Sequence, residues 1–233
     1  AERADLLAFI AQQPICNVVF VSADIHGTLV NEISYAKGSG EPEQPSGAVE
    51  VTVGPAAFDP PQGPVLVHHG VEAGLISPEE AAVYAGLPVA NDPDSRVDDR
   101  DDWVKAYIDA QLAAQGRDRL GLAGEPLAGD YVALHSFGWT EFEIDAASQG
   151  LTVTTWGIPA YGLAEVRANP FEVLARQPEI VSQFRLWPGC VGDDGRRTTD
   201  GGRRTTDETD SVLSSVVGRR SSTPEMSLPF GVA

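Results

Sequence analysis

The sequence predicts an α/β (α+β) domain, and three stretches carry that expectation. Residues 2–13 set Leu6, Leu7, Phe9 and Ile10 on one helical face and lead at once into the apolar run 17–23, a helix delivering a strand. Residues 48–53 alternate Val49, Val51 and Val53 with Glu50 and Thr52, the period of a strand. Residues 131–158 hold two alternating runs on either side of Asp145-Ala-Ala-Ser-Gln-Gly150, which reads as a β-hairpin.

Taken in order, the first helix ends at Pro14, and the strand at 17–23 is expected to be buried on both faces. Residues 38–47, rich in Gly and Pro, read as a surface loop before the strand at 48–53. Val65-Leu66-Val67 is a short apolar piece read as extended, which would send the side chains of His68 and His69 to opposite faces. Ser77-Pro78-Glu79-Glu80 is a helix start: a capping serine, proline at the first helical position and acids in the first turn. Gly86 and Pro88 keep that helix short.

Residues 92–102 are aspartate-rich but lack the glycine and terminal glutamate of a calcium loop, so they read as a solvated loop whose last aspartate caps the next helix. That helix, about 102–114, carries Trp103, Val104, Tyr107, Ile108 and Leu112 on one side. Beyond the hairpin, 170–180 reads as helix and 181–186 as a last strand. After Cys190 the tract Gly195-Arg-Arg-Thr-Thr-Asp200 recurs as Gly202-Arg-Arg-Thr-Thr-Asp207 in polar, low-complexity sequence. Such composition buries too little apolar area to offset chain entropy, so residues 1–190 are expected to form the domain and 191–233 a disordered tail.

With 42% hydrophobic and 21% charged residues the composition is that of a globular protein, but the net charge is −18. A surface this acidic argues against general binding to nucleic acid, whose phosphates need clustered Lys and Arg. It leaves room for a small phosphate ester held by metal ions, which bring their own positive charge. No apolar run is long enough to span a membrane. The chain opens at Ala1-Glu2-Arg3 inside a helical pattern and without a signal-peptide pattern, which reads as a fragment or a processed chain. Cys16 and Cys190 form no metal motif, and the sequence leaves both a disulfide and two buried thiols open.

The stretch richest in chemistry is Asn17-Val-Val-Phe-Val-Ser-Ala-Asp-Ile-His-Gly27, where the strand runs out on Asp24 and His26. In open α/β sheets chemistry collects beyond the carboxyl ends of such strands. In an extended chain i and i+2 point the same way, so a carboxylate and an imidazole there reach toward one metal. The alternative is structural: an aspartate capping a turn and a histidine facing solvent. No Ser-His-Asp order, glycine-rich phosphate cradle or paired-cysteine zinc motif competes.

The order of helix 2–13, Asn17-Val-Val-Phe-Val-Ser-Ala-Asp24-Ile-His26, Val49-Glu50-Val51-Thr52-Val53-Gly54-Pro55 and the later Phe137–Asp145 and Leu151–Trp156 runs resembles the carboxyl-terminal half of the PhoD-like alkaline phosphatase and phosphodiesterase family, among the calcineurin-like metallophosphoesterases. The resemblance implies a β-sandwich flanked by helices with a two-metal centre at the strand ends. It further implies that Asp24 and His26 match the Asp and His of the family's late Gly-Asp-x-His motif and bind metal. Ala23 stands where glycine is usual, a tolerable change if its φ is negative. The implied cofactors are two divalent or trivalent ions, iron and calcium. The implied substrate is a phosphate ester and the implied location extracellular or periplasmic.

The resemblance also implies an amino-terminal half carrying the remaining ligands, so that this chain alone is incomplete and inactive. Asn31 and Glu32 are the nearest candidates to anchor the second ring nitrogen of His26, and His68 or His69 could serve the substrate or support the ligands. His135, at a strand end, reads as structural. The rival to a hydrolase is a noncatalytic fragment or β-rich binding module in which Asp24 and His26 are turn residues only.

Overall fold

The computed structural model describes residues 2–13, 15–57, 60–89, 96–124 and 126–188, with the backbone alone of 190–191 and 197–198. It is a mixed α and β fold. Two four-stranded sheets face each other across a shared core, with one helix on the outer face of the first sheet and a helical layer at its edge. Among the described residues no helix is long and apolar enough to cross a membrane.

Helix α1 (Glu2–Gln12) leads into strand β1 (Val19–Ser22), as expected. Its buried face differs from the expected one: Leu7, Ala8 and Ile10 pack on Ile33, Tyr35 and Ala48, whereas Leu6 and Phe9 are exposed. Strand β1 is not buried on both faces. Among the described residues it pairs only with β3 (Gln44–Thr52), at the edge of its sheet, and Val21 is 58% exposed. Strand β2 (Thr28–Tyr35), for which no element was expected, completes the order β1-β3-β2-β5 with β5 (Val132–Ala133).

Strand β3 enters the segment expected to be loop, beginning at Gln44 and running through Pro45 and Gly47. Within it the expected alternation holds: Val49 and Val51 point into the inter-sheet core while Ala48 points at α1. Cys16 is disulfide-bonded, and Cys190 is the only other cysteine in the sequence.

The largest correction is at 62–72, where the apolar piece read as extended is helix α2 (Gln62–Glu72). Pro61 is the N-cap and Pro64 sits in the first turn, where a missing N–H costs nothing. The buried face is Gly63, Val67 and Gly70, spaced i, i+4, i+7. Two of these are glycines, so a search for apolar residues does not see the stripe. Helix α3 (Pro78–Gly86) begins where expected, with Ser77 Oγ accepting from Glu80 N–H and Glu80 Oε2 accepting from Ser77 N–H.

Helix α4 (Arg100–Ala114) starts two residues earlier than expected, because Asp99 rather than Asp102 is the cap and accepts from Asp102 N–H at 2.9 Å. Val104 is fully buried with Trp103, Tyr107 and Ile108 packed beside it, as the sequence pattern predicts. The expected aspartate-rich loop falls partly outside the described residues.

The second sheet has the order β4-β8-β7-β6, from β4 (Ala128–Gly129), β6 (Ser136–Ile144), β7 (Leu151–Pro159) and β8 (Glu179–Leu186). The hairpin β6–β7 is in register from Ser136↔Pro159 to Ile144↔Leu151, and its turn is closed by Asp145 N–H to Gly150 O at 2.9 Å. Residues 131–133, expected within the hairpin, instead give β5 to the first sheet. The helix expected at 170–180 is two short ones, α5 (Leu163–Ala168) and α6 (Pro170–Ala175), split where Pro170 restarts the chain; β8 begins at Glu179.

The core between the sheets joins Val30, Val49 and Val51 to Val153, Phe184 and Leu186. At the carboxyl end, β9 (Cys190–Val191) pairs with β10 (Arg197–Thr198), and the rest of the expected tail lies outside the described residues.

Candidate functional site

The site expected from sequence is the connection between β1 and β2. These strands flank β3, one parallel and one antiparallel to it, so the loop 23–27 must reverse direction while crossing the end of β3. Adjacent strands lie about 4.8 Å apart, so the crossing spans about 10 Å in few residues. The backbone meets this demand by leaving the extended region. Asp24 has φ 84° and His26 φ 57°, and among the described residues Gln149 is the one other non-glycine with positive φ.

The two residues therefore do not share a strand face, as an extended chain would have placed them. They sit in one tight turn beyond the strand end. Ala23 is not among the positive-φ residues, so its side chain imposes no backbone penalty.

The turn is fastened on both sides. Ser22 O accepts from Val53 N–H at 2.8 Å, and Thr28 Oγ1 accepts from Gly54 N–H at 3.2 Å. Ser22 Oγ donates to Glu50 Oε1 at 2.8 Å and lies 2.9 Å from Thr52 Oγ1, a polar ridge along the strand ends. His26 O accepts from Gln62 N–H at 2.9 Å, which ties the turn to the start of α2. Gly27 is buried where a Cβ would lie 2.3 Å from Leu134 Cδ2. Asp24 is exposed and His26 half-buried, so both can meet a ligand arriving from solvent.

The first turn of α2 is a poor anion cradle despite its position. Gln62 N–H is spent on His26 O, Gly63 N–H on Leu134 O at 3.0 Å, and Pro64 has no N–H. Positive charge for a phosphate at this turn has to come from elsewhere.

The remaining candidates lie apart from the turn. Asn31 and Glu32 are on β2, and Glu32 is some 13 Å along the strand from its start at about 3.3 Å per residue. Asn31 Nδ2 donates to Glu32 O at 3.4 Å, and Glu32 Oε1 accepts from Ala123 N–H at 3.1 Å, so their described bonds go elsewhere than His26. His68 and His69 sit at the far end of α2, both exposed. Being helical, they are not sent to opposite faces. Each reaches Glu72, and the three form the only group of three or more metal-donor side chains among the described residues with donor atoms within 4.8 Å of one another.

Sequence reading missed a buried polar network behind the turn. Asp101 Oδ1 accepts from Leu134 N–H at 2.6 Å and lies 2.8 Å from His135 Nδ1, while His135 Nε2 lies 2.6 Å from Tyr84 Oη. The consistent tautomer has Nδ1–H donating to Asp101 and Nε2 accepting from Tyr84 O–H. All three side chains are buried. Burial pushes the Tyr84 hydroxyl up to about 12, with nearby Arg100 opposing the shift and Asp101 adding to it.

No substrate reaches this trio, and its effect is to clamp α3 and α4 to the β5–β6 junction. Gly63 makes room for it: a Cβ there would lie 2.2 Å from His135 Cε1. Nothing local in the sequence flags the trio, whose members are 34 and 51 positions apart.

A separate polar hollow at the hairpin end is lined by Glu143, Asp145, Ser148, Thr152 and Arg185 and contains none of the expected site residues. The chain matches no family model, no curated protein and no solved structure.

Proposed function

We propose that this chain supplies Asp24 and His26 to the metal centre of a phosphoric ester hydrolase resembling the PhoD-like phosphatases and phosphodiesterases. One observation carries the reading. A carboxylate and an imidazole share a short turn at a strand end, and both stand on left-handed backbone. Such conformations cost of order 1 kcal/mol each and collect at functional sites. The expended amides at the start of α2 and the net charge of −18 add that a phosphate here needs metal ions for its counter-charge.

The donor set fits part of such a centre: a carboxylate oxygen on an exposed residue and an imidazole nitrogen on a half-buried one. Iron and calcium are the ions the resemblance proposes. Bound there, the pair would polarise the phosphoryl oxygens and lower the pKa of a water. Asp24 would contribute negative charge and His26 a directional nitrogen, held in place by the bond from Gln62 to its own carbonyl. The remaining ligands are proposed to come from an amino-terminal half, and an extracellular or periplasmic setting is supported by the disulfide at Cys16.

The test is hydrolysis of bis(p-nitrophenyl) phosphate by the product of the complete gene, before and after chelation. Chelation is expected to stop turnover and added metal to restore it. Chelator-resistant turnover would sink the proposal.

A noncatalytic β-rich binding module is the second reading, and one surface favours it. Trp139 and Trp156 stack at 6.2 Å on the outer face of the hairpin, and both indoles donate to Glu141, at 3.3 and 3.0 Å. On that reading replacing Asp24 and His26 leaves binding by the hairpin face intact.

A further inference from the structure

We infer that His68, His69 and Glu72 form a surface site for a divalent transition-metal ion of the zinc type, at the opposite end of α2 from the Asp24–His26 turn. His68 and Glu72 are an i, i+4 pair and His69 and Glu72 an i, i+3 pair, so the carboxylate stands between the two rings on one helical face. His68 Nε2 is 3.4 Å from Glu72 Oε1, and His69 Nδ1 is 3.0 Å from Glu72 Oε2.

Those separations have the size that coordination requires. Donor atoms about 2.1 Å from one zinc ion lie about 3.4 Å apart at a tetrahedral angle and about 3.0 Å apart at a right angle. One donor atom from each residue of the trio lies within 4.8 Å of the other two, so only side-chain rotations are needed to close them on an ion. Two imidazoles and one carboxylate are ligands that suit zinc, and they leave a fourth position for water.

The location adds to the case. The trio occupies the last turn of α2, where the carbonyl end of the helix dipole favours positive charge. The chain has four histidines, and the other two are differently placed: His135 is enclosed by Asp101 and Tyr84, and His26 is in the turn. An ordinary surface ion pair would need only one imidazole for Glu72; here two converge on it, one per oxygen.

The experiment is a zinc titration of the full chain, purified without a polyhistidine tag, by isothermal calorimetry at neutral pH, with imidazole ring resonances followed by NMR. One zinc is expected at this site, with the His68 and His69 rings shifting and the His135 ring unmoved. His68→Ala or His69→Ala should weaken binding at least about tenfold, as loss of a direct ligand must cost no less than loss of its supporting contacts. Glu72→Gln should weaken it less, and Asp24→Ala/His26→Ala should leave it in place whatever becomes of hydrolysis. All the altered side chains on α2 are exposed, and far-UV circular dichroism verifies that the fold is kept. Acidification should release the ion, because the rings must be neutral to bind it. The inference is overturned if the wild-type chain takes up no zinc saturably in the millimolar range. It is overturned equally if the double substitution His68→Ala/His69→Ala leaves the number of zinc ions bound unchanged, or if the shifts of the His68 and His69 rings vanish with Asp24→Ala/His26→Ala.

Discussion

Replacing Asp24 by glycine separates what the residue does for the turn from what it does for a ligand. Its φ of 84° suits glycine and costs a residue with a Cβ about 1 kcal/mol or somewhat more. Glycine gives part of this back, because it loses about 0.5–1 kcal/mol more chain entropy on folding. The Asp24 carboxylate is exposed and makes no hydrogen bond or ion pair among the described residues, so its removal forfeits no contact there. The balance is a variant between equal in stability and about 1 kcal/mol more stable, with a Tm up to about 4 °C higher for a domain of this size. Urea unfolding followed by circular dichroism measures it, beside the phosphodiesterase assay, where Asp24→Gly should be inactive. Unfolding that is easier by more than about 1 kcal/mol would show that the carboxylate holds the turn together and would refute the reasoning.

Other substitutions probe the frame behind the turn. Gly63→Ala drives a methyl to within 2.2 Å of the His135 ring, which Asp101 and Tyr84 fix from both sides, so thermal melts should show a loss of about 3 kcal/mol; a loss under about 1 kcal/mol would mean the clamp is loose. Tyr84→Phe leaves His135 Nε2 buried without its partner and should cost about 1–3 kcal/mol at neutral pH. The same variant should change the alkaline limb. Burial raises the Tyr84 hydroxyl to about 12, so the folded state keeps a proton that the unfolded chain releases near the ordinary tyrosine value of about 10. That contribution is full below about pH 10 and fades toward pH 12, so wild-type stability should fall more steeply with alkali than that of Tyr84→Phe; parallel limbs would contradict the assignment.

What could be read from sequence follows from how local each signal is. Ser77 to Glu80 announces a helix start within four residues, and the structure shows both reciprocal bonds there. The hairpin announces itself by period-2 runs on either side of a turn. Helix α2 is hidden from an apolar-periodicity reading because two of the three residues of its buried stripe, Gly63 and Gly70, are glycines that lie close to His135 and Ile76. Strand β2 gives a weak signal because Asn31 and Glu32 interrupt its apolar run and a bulge shifts its register between Glu32 and Ser34.

The apolar run of β1 is that of an interior strand, yet among the described residues it has one neighbour and lies at the sheet edge. At the site, sequence placed Asp24 and His26 at a strand end, where they are, but an extended geometry could not foresee positive φ at both. The Asp101–His135–Tyr84 trio and the meeting of His68, His69 and Glu72 depend on tertiary packing and on helical phase, neither of which those residues signal by themselves.

The central claim, that the turn after β1 holds catalytic metal, is tested most directly by one substitution. His26→Ala in the product of the complete gene should bring metal-restored hydrolysis of bis(p-nitrophenyl) phosphate down by a factor of about a hundred or more, the order expected when a direct electrostatic contributor to the transition state is lost. Circular dichroism should remain that of the wild type. Undiminished turnover by a folded His26→Ala protein would contradict the account.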